Sequence, residues 1–130
     1  MAFTKQDLKQ MIKEEYTKIK EGKNGNPDGP FTSWHKNGKK AEEFTYKNGK
    51  KDGPYTSWYE NGQKEWEGTY KNGKEEGLFT YRWGNGKKRV ERTYKNGKRE
   101  GPYTWWDKSG KKEQEGIYKN GKKKIIRKKG

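Results

Sequence analysis

Short stretches of aromatic residues alternating with threonine or serine recur along this chain at a fixed interval. Phe31, Tyr55, Phe79 and Tyr103 are each followed by a threonine (Thr32, Thr56, Thr80 and Thr104). Trp34, Trp58, Arg82 and Trp106 stand two residues further on. Alternation of this kind, in residues that favour extended backbone, predicts β-strands with one face packed. Between these stretches lie two tight-turn signals per unit. One is Asn24-Gly25, Asn48-Gly49, Asn72-Gly73, Asn96-Gly97 and Asn120-Gly121; the other is Asn37-Gly38, Asn61-Gly62, Asn85-Gly86 and Ser109-Gly110. Asn-Gly suits a two-residue hairpin turn, because both central residues need positive φ.

Aligned on these signals, residues 23–46, 47–70, 71–94 and 95–118 are four ungapped copies of one 24-residue unit, and a fifth copy breaks off as KNGKKKIIRKKG. A fixed period is read before any other feature. It predicts a mainly β fold: a single-layer antiparallel meander of about nine strands, two per unit. Residues 23–118 form the array, and residues 119–130 a truncated fifth unit with a basic strand or tail.

The turns also predict a register. A two-residue loop at Asn61-Gly62 sets Ser57 opposite Trp66 and Tyr55 opposite Gly68. A second at Asn72-Gly73 sets Trp66 opposite Phe79 and Gly68 opposite Gly77. Side chains alternate across a sheet. One face then carries Phe31, Tyr55, Phe79, Tyr103, Trp66, Trp83, Trp105, Tyr46, Tyr70, Tyr94 and Tyr118, and reads as the packed one. The other carries the threonines with Trp34, Trp58, Arg82, Trp106, Glu43, Glu67, Glu91 and Glu115. A one-residue slip would exchange the two. Gly29, Gly53, Gly77 and Gly101 read as bulges or close approaches, and Pro30, Pro54 and Pro102 as strand starts.

Residues 1–22 follow a different period. Leu8, Met11, Ile12, Tyr16 and Ile19 make one helical stripe. Thr4 can cap the helix with Asp7 at its third position, Phe3 and Leu8 can staple it, and Gly22 can stop it. The expectation is an amphipathic helix over about residues 5–21 that caps the first repeat; docking on another protein is the alternative.

Composition changes this picture in one respect. Hydrophobic residues are 24% and charged residues 39%, a balance that by itself favours disorder. Aromatics are 15%, so the apolar inventory is concentrated in large rings and the core must be thin and regular. The net charge of +15 divides into +1 for residues 1–22, +7 for 23–118 and +7 for 119–130. The last segment, with Lys122, Lys123, Lys124, Arg127, Lys128 and Lys129, reads either as a lysine-protected edge strand or as a basic arm for nucleic acid or an anionic surface. There is no cysteine, no apolar run long enough to span a bilayer and no signal-peptide core, so a cytoplasmic location is expected.

Candidate chemistry is sparse. Catalysis needs unlike groups gathered in one place, whereas a repeat supplies similar groups everywhere. His35 is the single histidine and has no obvious partner, so it reads as structural or solvated. Glu42-Glu43 and Glu75-Glu76 are neighbours on a strand and point to opposite faces. No metal-ligand cluster or phosphate loop is visible. The expectation is a protein that is not an enzyme and holds no cofactor or metal.

The phrase G-x-Y-K-N-G-K-x-x-G-P-Y-T-x-W-x-x-x-G-K-K, clearest over Gly68–Lys87 and Gly116–Lys122, resembles the variant form of the MORN repeat found in bacterial proteins, over about residues 23–125. The Tyr-x-Gly-x-Trp…His-Gly core of the standard MORN unit is absent. The resemblance implies β-hairpin arrays. It also implies binding functions, since many bacterial members are antitoxins or immunity proteins and eukaryotic relatives are linked to membrane lipids and scaffolding. No functional residue carries over from it.

Three functions remain open. The first is a protein-binding module, such as an antitoxin or immunity protein. It would use the tryptophan row Trp34, Trp58, Arg82 and Trp106, at about 10 Å per repeat, with Glu67, Glu91 and Glu115 beside it. Large aromatics and arginine serve as binding anchors. The same row would be core if the helix or a partner subunit covered it. The second function is a nucleic-acid binder, and the third is a structural subunit of a larger assembly such as a phage particle.

Overall fold

The computed structural model describes residues 4–7, 9–10 and 27–129. Residues 5–7 and 9–10 are helical. Thr4 and Asp7 exchange the two hydrogen bonds of a capping box, amide to carboxylate and amide to hydroxyl, each 3.0 Å. The expected continuation of the helix to residue 21, its Phe3–Leu8 staple and its packing partner lie outside the described residues, as does the Asn24-Gly25 turn.

All other regular structure among the described residues is strand. In order these are β1 (Gly29–Trp34), β2 (Lys40–Lys47), β3 (Lys50–Lys51), β4 (Gly53–Trp58), β5 (Lys64–Lys71) and β6 (Lys74–Glu75). They continue as β7 (Gly77–Arg82), β8 (Lys88–Lys95), β9 (Lys98–Trp106), β10 (Lys112–Lys119) and β11 (Lys122–Lys128). They form one antiparallel sheet in which nine strands follow one another as a meander, while β3 and β6 are short pairings on β2 and β5. The mainly β meander is therefore as expected.

The two turn signals produce different turns. Asn48, Asn72, Asn96 and Asn120 have φ of 50–52°, and the glycines after them 77–82°. These are the two-residue hairpin turns that Asn-Gly favours. At the other signal only the glycine is left-handed, as at Gly62 (φ 89°). There the Gly62 amide donates to the Tyr59 carbonyl and the Tyr59 amide to the Gln63 carbonyl, so the loop is longer than two residues. A one-residue bulge follows, with Glu65 as the extra residue between Lys64 and Trp66 opposite Ser57 and Trp58. It restores the expected register in the strand body: Ser57 pairs with Trp66 and Tyr55 with Gly68.

The second expected register is corrected. Asn72-Gly73 does close a two-residue turn, with Lys71 opposite Lys74, but beyond it Trp66 faces Tyr81 rather than Phe79. Two residues, Glu76 and Gly77, enter the ladder as a bulge, and Gly77 sits at φ 82°. Because two residues are inserted rather than one, the faces are preserved. Phe79 now leans over Gly68, where a Cβ would lie 2.4 Å from its ring. Gly116 lies under Tyr103 in the same way, at 2.7 Å. The glycine is what lets each ring close on the sheet.

The packed face is a run of rings in contact: Phe44–Tyr55 at 5.7 Å, Tyr55–Tyr70 and Tyr70–Phe79 at 5.5 Å, and Phe79–Tyr94 at 5.2 Å between centroids. Phe79 is fully buried and Tyr103 nearly so. The first of these contacts is stacked and the others edge-to-face, and such contacts add to the area they bury.

The last strand departs from the repeat. The place of Gly101 is taken by Ile125, which cannot readily adopt the left-handed bulge. β11 therefore stays in hairpin register and sets Ile125 opposite Gly116. A one-residue bulge then returns Arg127 to face Glu115.

Candidate functional site

The face opposite the aromatic core is ordered in rows. One cross-strand row runs Thr32, Glu43, Thr56, Glu67, Thr80, Glu91, Thr104, Glu115 and Arg127 through consecutive ladder pairs. Beside it runs a second row, in which Trp34 pairs with Lys40, Trp58 with Lys64, Arg82 with Lys88 and Trp106 with Lys112. The four sequence-selected anchors thus lie on one face, with Glu67, Glu91 and Glu115 alongside.

The lysines of this row were missed in the sequence. Each bonds the glutamate three residues later: Lys40–Glu43 at 2.7 Å, Lys64–Glu67 at 3.2 Å, Lys88–Glu91 at 3.1 Å and Lys112–Glu115 at 3.3 Å. In a regular strand residues three apart point to opposite faces. The one-residue bulge after each long loop brings them together, so Lys-x-x-Glu is a readable signal only once the bulge is known. Lys40 also lies 6.0 Å from the Trp58 ring centroid and Lys88 5.8 Å from that of Trp106. Except where Arg82 replaces a tryptophan, the row therefore alternates aromatic and cationic groups, with each lysine matched by the glutamate next to it.

The anchors are not equivalent. Trp34 is 61% exposed, while Trp58 and Trp106 are partly covered. Arg82 is committed internally. Its guanidinium lies 3.6 Å from Glu67 and donates to the Gly86 carbonyl at 3.1 Å, and its Nε is buried without a hydrogen-bond partner.

Two series of side-chain bonds hold successive repeats in register. On the long-loop side, Asn37, Asn61 and Asn85 donate to the carbonyls of Glu60, Gly84 and Lys108 at 2.7–2.9 Å. His35, Tyr59 and Trp83 bond the carbonyls of Trp58, Arg82 and Trp106. This gives the single histidine a structural place, 2.7 Å from the Trp58 carbonyl. Burial pushes the Tyr59 phenol up to about 12. On the short-turn side, Asp52, Glu76 and Glu100 accept from the amides of Asn72, Asn96 and Asn120 at 2.9–3.1 Å. The neighbouring carboxylates also part as expected: Glu42 accepts from the Tyr55 hydroxyl on the packed face, while Glu43 meets Lys40 on the other.

This geometry, repeated every 24 residues, is matched by the model of the MORN repeat variant at residues 27–48, 51–72, 75–96 and 99–120. The chain belongs to the MORN repeat variant family. Among curated proteins none matches it significantly.

In this MORN-variant array the fourth unit departs from this series. Ser109 replaces the stapling asparagine, and Asp107 stands where His35, Tyr59 and Trp83 stand. Asp107 Oδ1 accepts from the Ser109 hydroxyl and from the amides of Ser109 and Lys111 at 2.6–3.0 Å. The Ser109 hydroxyl first, then the Lys111 amide, hold its carboxyl down at about 2. Lys129 lies 3.5 Å away, and Arg127 lies 3.7 Å from Glu115. Lys122, Lys123, Lys124 and Lys128 are exposed on β11. Among the described residues no three His, Asp or Glu groups come together to hold a metal, and no helix is long and apolar enough to cross a membrane.

Proposed function

We propose that this chain is a non-enzymatic protein-binding array whose partner lies along the tryptophan–lysine face. The observation that carries this reading is the pairing of every lysine in the row with a glutamate beside it. Each of the four lysines is thereby matched by a carboxylate and the excess positive charge is confined to Arg82 and Arg127, which suits a protein surface better than a polyanion; Trp34 is the most exposed ring of the face. The Trp58 and Trp106 rings, each close to a lysine ammonium, lose little freedom when a partner covers them. Neutralising a partner by binding it, as an antitoxin or immunity protein does, is the form of this function that the family resemblance supports.

Partner capture under native conditions is the test, comparing the wild-type chain with Trp34→Ala and Trp58→Ala. A partner retained by the wild type and lost by both variants, at unchanged stability, is expected. A partner retained equally by all three sinks the reading. The exposed lysines of β11 favour a second reading, binding of nucleic acid or another anionic surface. Its mark would be affinity that falls steeply with salt and disappears in Lys124→Ala/Lys128→Ala.

A further inference from the structure

The third repeat breaks the pattern on the packed face, and its departures converge. Arg89 stands where the other repeats have Ala41, Glu65 and Glu113. Arg92 stands where they have Phe44, Gly68 and Gly116. The fold accepts small, acidic or aromatic residues at these places, so it does not require arginine at either. Both arginines nevertheless open onto one cleft of about 650 Å³, together with Trp83, Arg99, Trp105 and Lys108. That volume lies within the ~300–1,000 Å³ of ordinary small-ligand sites.

Rings in and around the cleft set its cations in place. The Arg89 guanidinium lies 4.3 Å from the Trp83 ring centroid and 5.3 Å from that of Tyr81, and Lys108 lies 5.5 Å from Trp83. Arg92 is 5.9 Å from the Trp66 ring and donates to the Tyr94 hydroxyl at 3.4 Å. Arg99 is 5.6 Å from the Tyr118 ring and donates to its hydroxyl at 3.2 Å. A guanidinium stacked by its face keeps its N–H edge free for an oxyanion. Among the described residues none of Arg89, Arg92, Arg99 and Lys108 has a carboxylate within 4.0 Å. Of the two acids in the cleft, Asp107 is engaged by its own turn. Three guanidinia and an ammonium exceed what one carboxylate could neutralise. A phosphate group brings close to two charges and several acceptor oxygens.

We propose that this cleft binds a small phosphate-bearing ligand, a free polyphosphate or a nucleoside diphosphate, through Arg89, Arg92 and Arg99. Trp106 of the tryptophan–lysine row also lines the cleft, but Arg89, Arg92 and Arg99 lie outside that row, so the site is tested separately from it.

Titration calorimetry at fixed ionic strength, with sodium pyrophosphate, ADP and an oligo-glutamate peptide as probes, tests it. Saturable binding of pyrophosphate or ADP is expected, weakened about tenfold or more in Arg89→Glu/Arg92→Gly. Those replacements are residues that sister repeats carry at the same places, so the fold should persist. If a thermal melt shows otherwise, Arg89→Ala, the residue of the first repeat, gives the same reading. ADP binding more tightly than pyrophosphate assigns the nucleotide, and equal affinity assigns the free polyphosphate. Three results overturn the proposal: no saturable binding of either phosphate, glutamate peptide binding as tightly as both, or binding that survives the arginine variant and vanishes in Lys124→Ala/Lys128→Ala.

Discussion

The two faces of the sheet are built from the same strands and the same register, yet they solve different problems. On one face, rings lie on rings and on bare glycines, and Phe79 and Tyr103 are sealed from water. On the other, threonine, glutamate, lysine and tryptophan form rows in which each charge has a neighbour and Trp34 stands open. The lesson is that a single layer can be stable when one face concentrates nearly all of its burial in aromatic rings. The other face is then free to be specified by something other than folding. Substitutions should therefore divide sharply by face.

The largest effect is expected at the centre of the packed face. Phe79→Ala should cost about 3–5 kcal/mol, while Trp34→Ala should stay within about 0.5 kcal/mol. Urea unfolding of both variants checks the pair, and equal losses would break the comparison. Next comes Gly68→Ala. Its Cβ would sit 2.4 Å from the Phe79 ring, so a loss of about 1–3 kcal/mol from overpacking is expected. The double variant Gly68→Ala/Phe79→Ala should lose less than the sum of the two single losses, since removing the ring removes the clash.

The two turn types sharpen the contrast further. Asn72→Ala should cost about 1–2 kcal/mol, because alanine resists the left-handed φ of 50°. Asn61→Ala should cost about 0.5–1.5 kcal/mol, through the lost bond to the Gly84 carbonyl. Replacing each asparagine by glycine separates them: Asn72→Gly should recover most of its loss, and Asn61→Gly should recover none.

The smallest effect is electrostatic. The folded-state pKa of Asp107, about 2, lies below its ordinary 3.8. Its ionised form therefore adds stability that is present above pH ~4 and lost as the pH falls through 2. The melting temperature of the wild type should exceed that of Asp107→Asn at pH 6, and the gap should close towards pH 2. A gap that is constant with pH would remove the role given to this carboxylate.

Much of this was legible in the chain itself. The repeat, the antiparallel meander, the composition of both faces and the short turns followed from a period of 24 and from Asn-Gly chemistry. The three tryptophans and Arg82 were correctly placed in one row. What was not legible depended on bulges. The two-residue insertion at Glu76-Gly77 and the single extra residue near Arg89 leave no local mark beyond a glycine or an unremarkable side chain, yet they choose which residues meet.

The amino-acid order alone settled the architecture, because alternation, turn residues and periodicity act over a few residues and repeat four times. Tertiary structure decided the contacts between neighbouring units: Phe79 on Gly68, Lys88 on Glu91 and Trp106, and three arginines around one cleft. Those contacts join residues that bulges shift into place. A shift of one or two positions costs little locally, and it is selected by whether the rings of adjacent strands can close on each other.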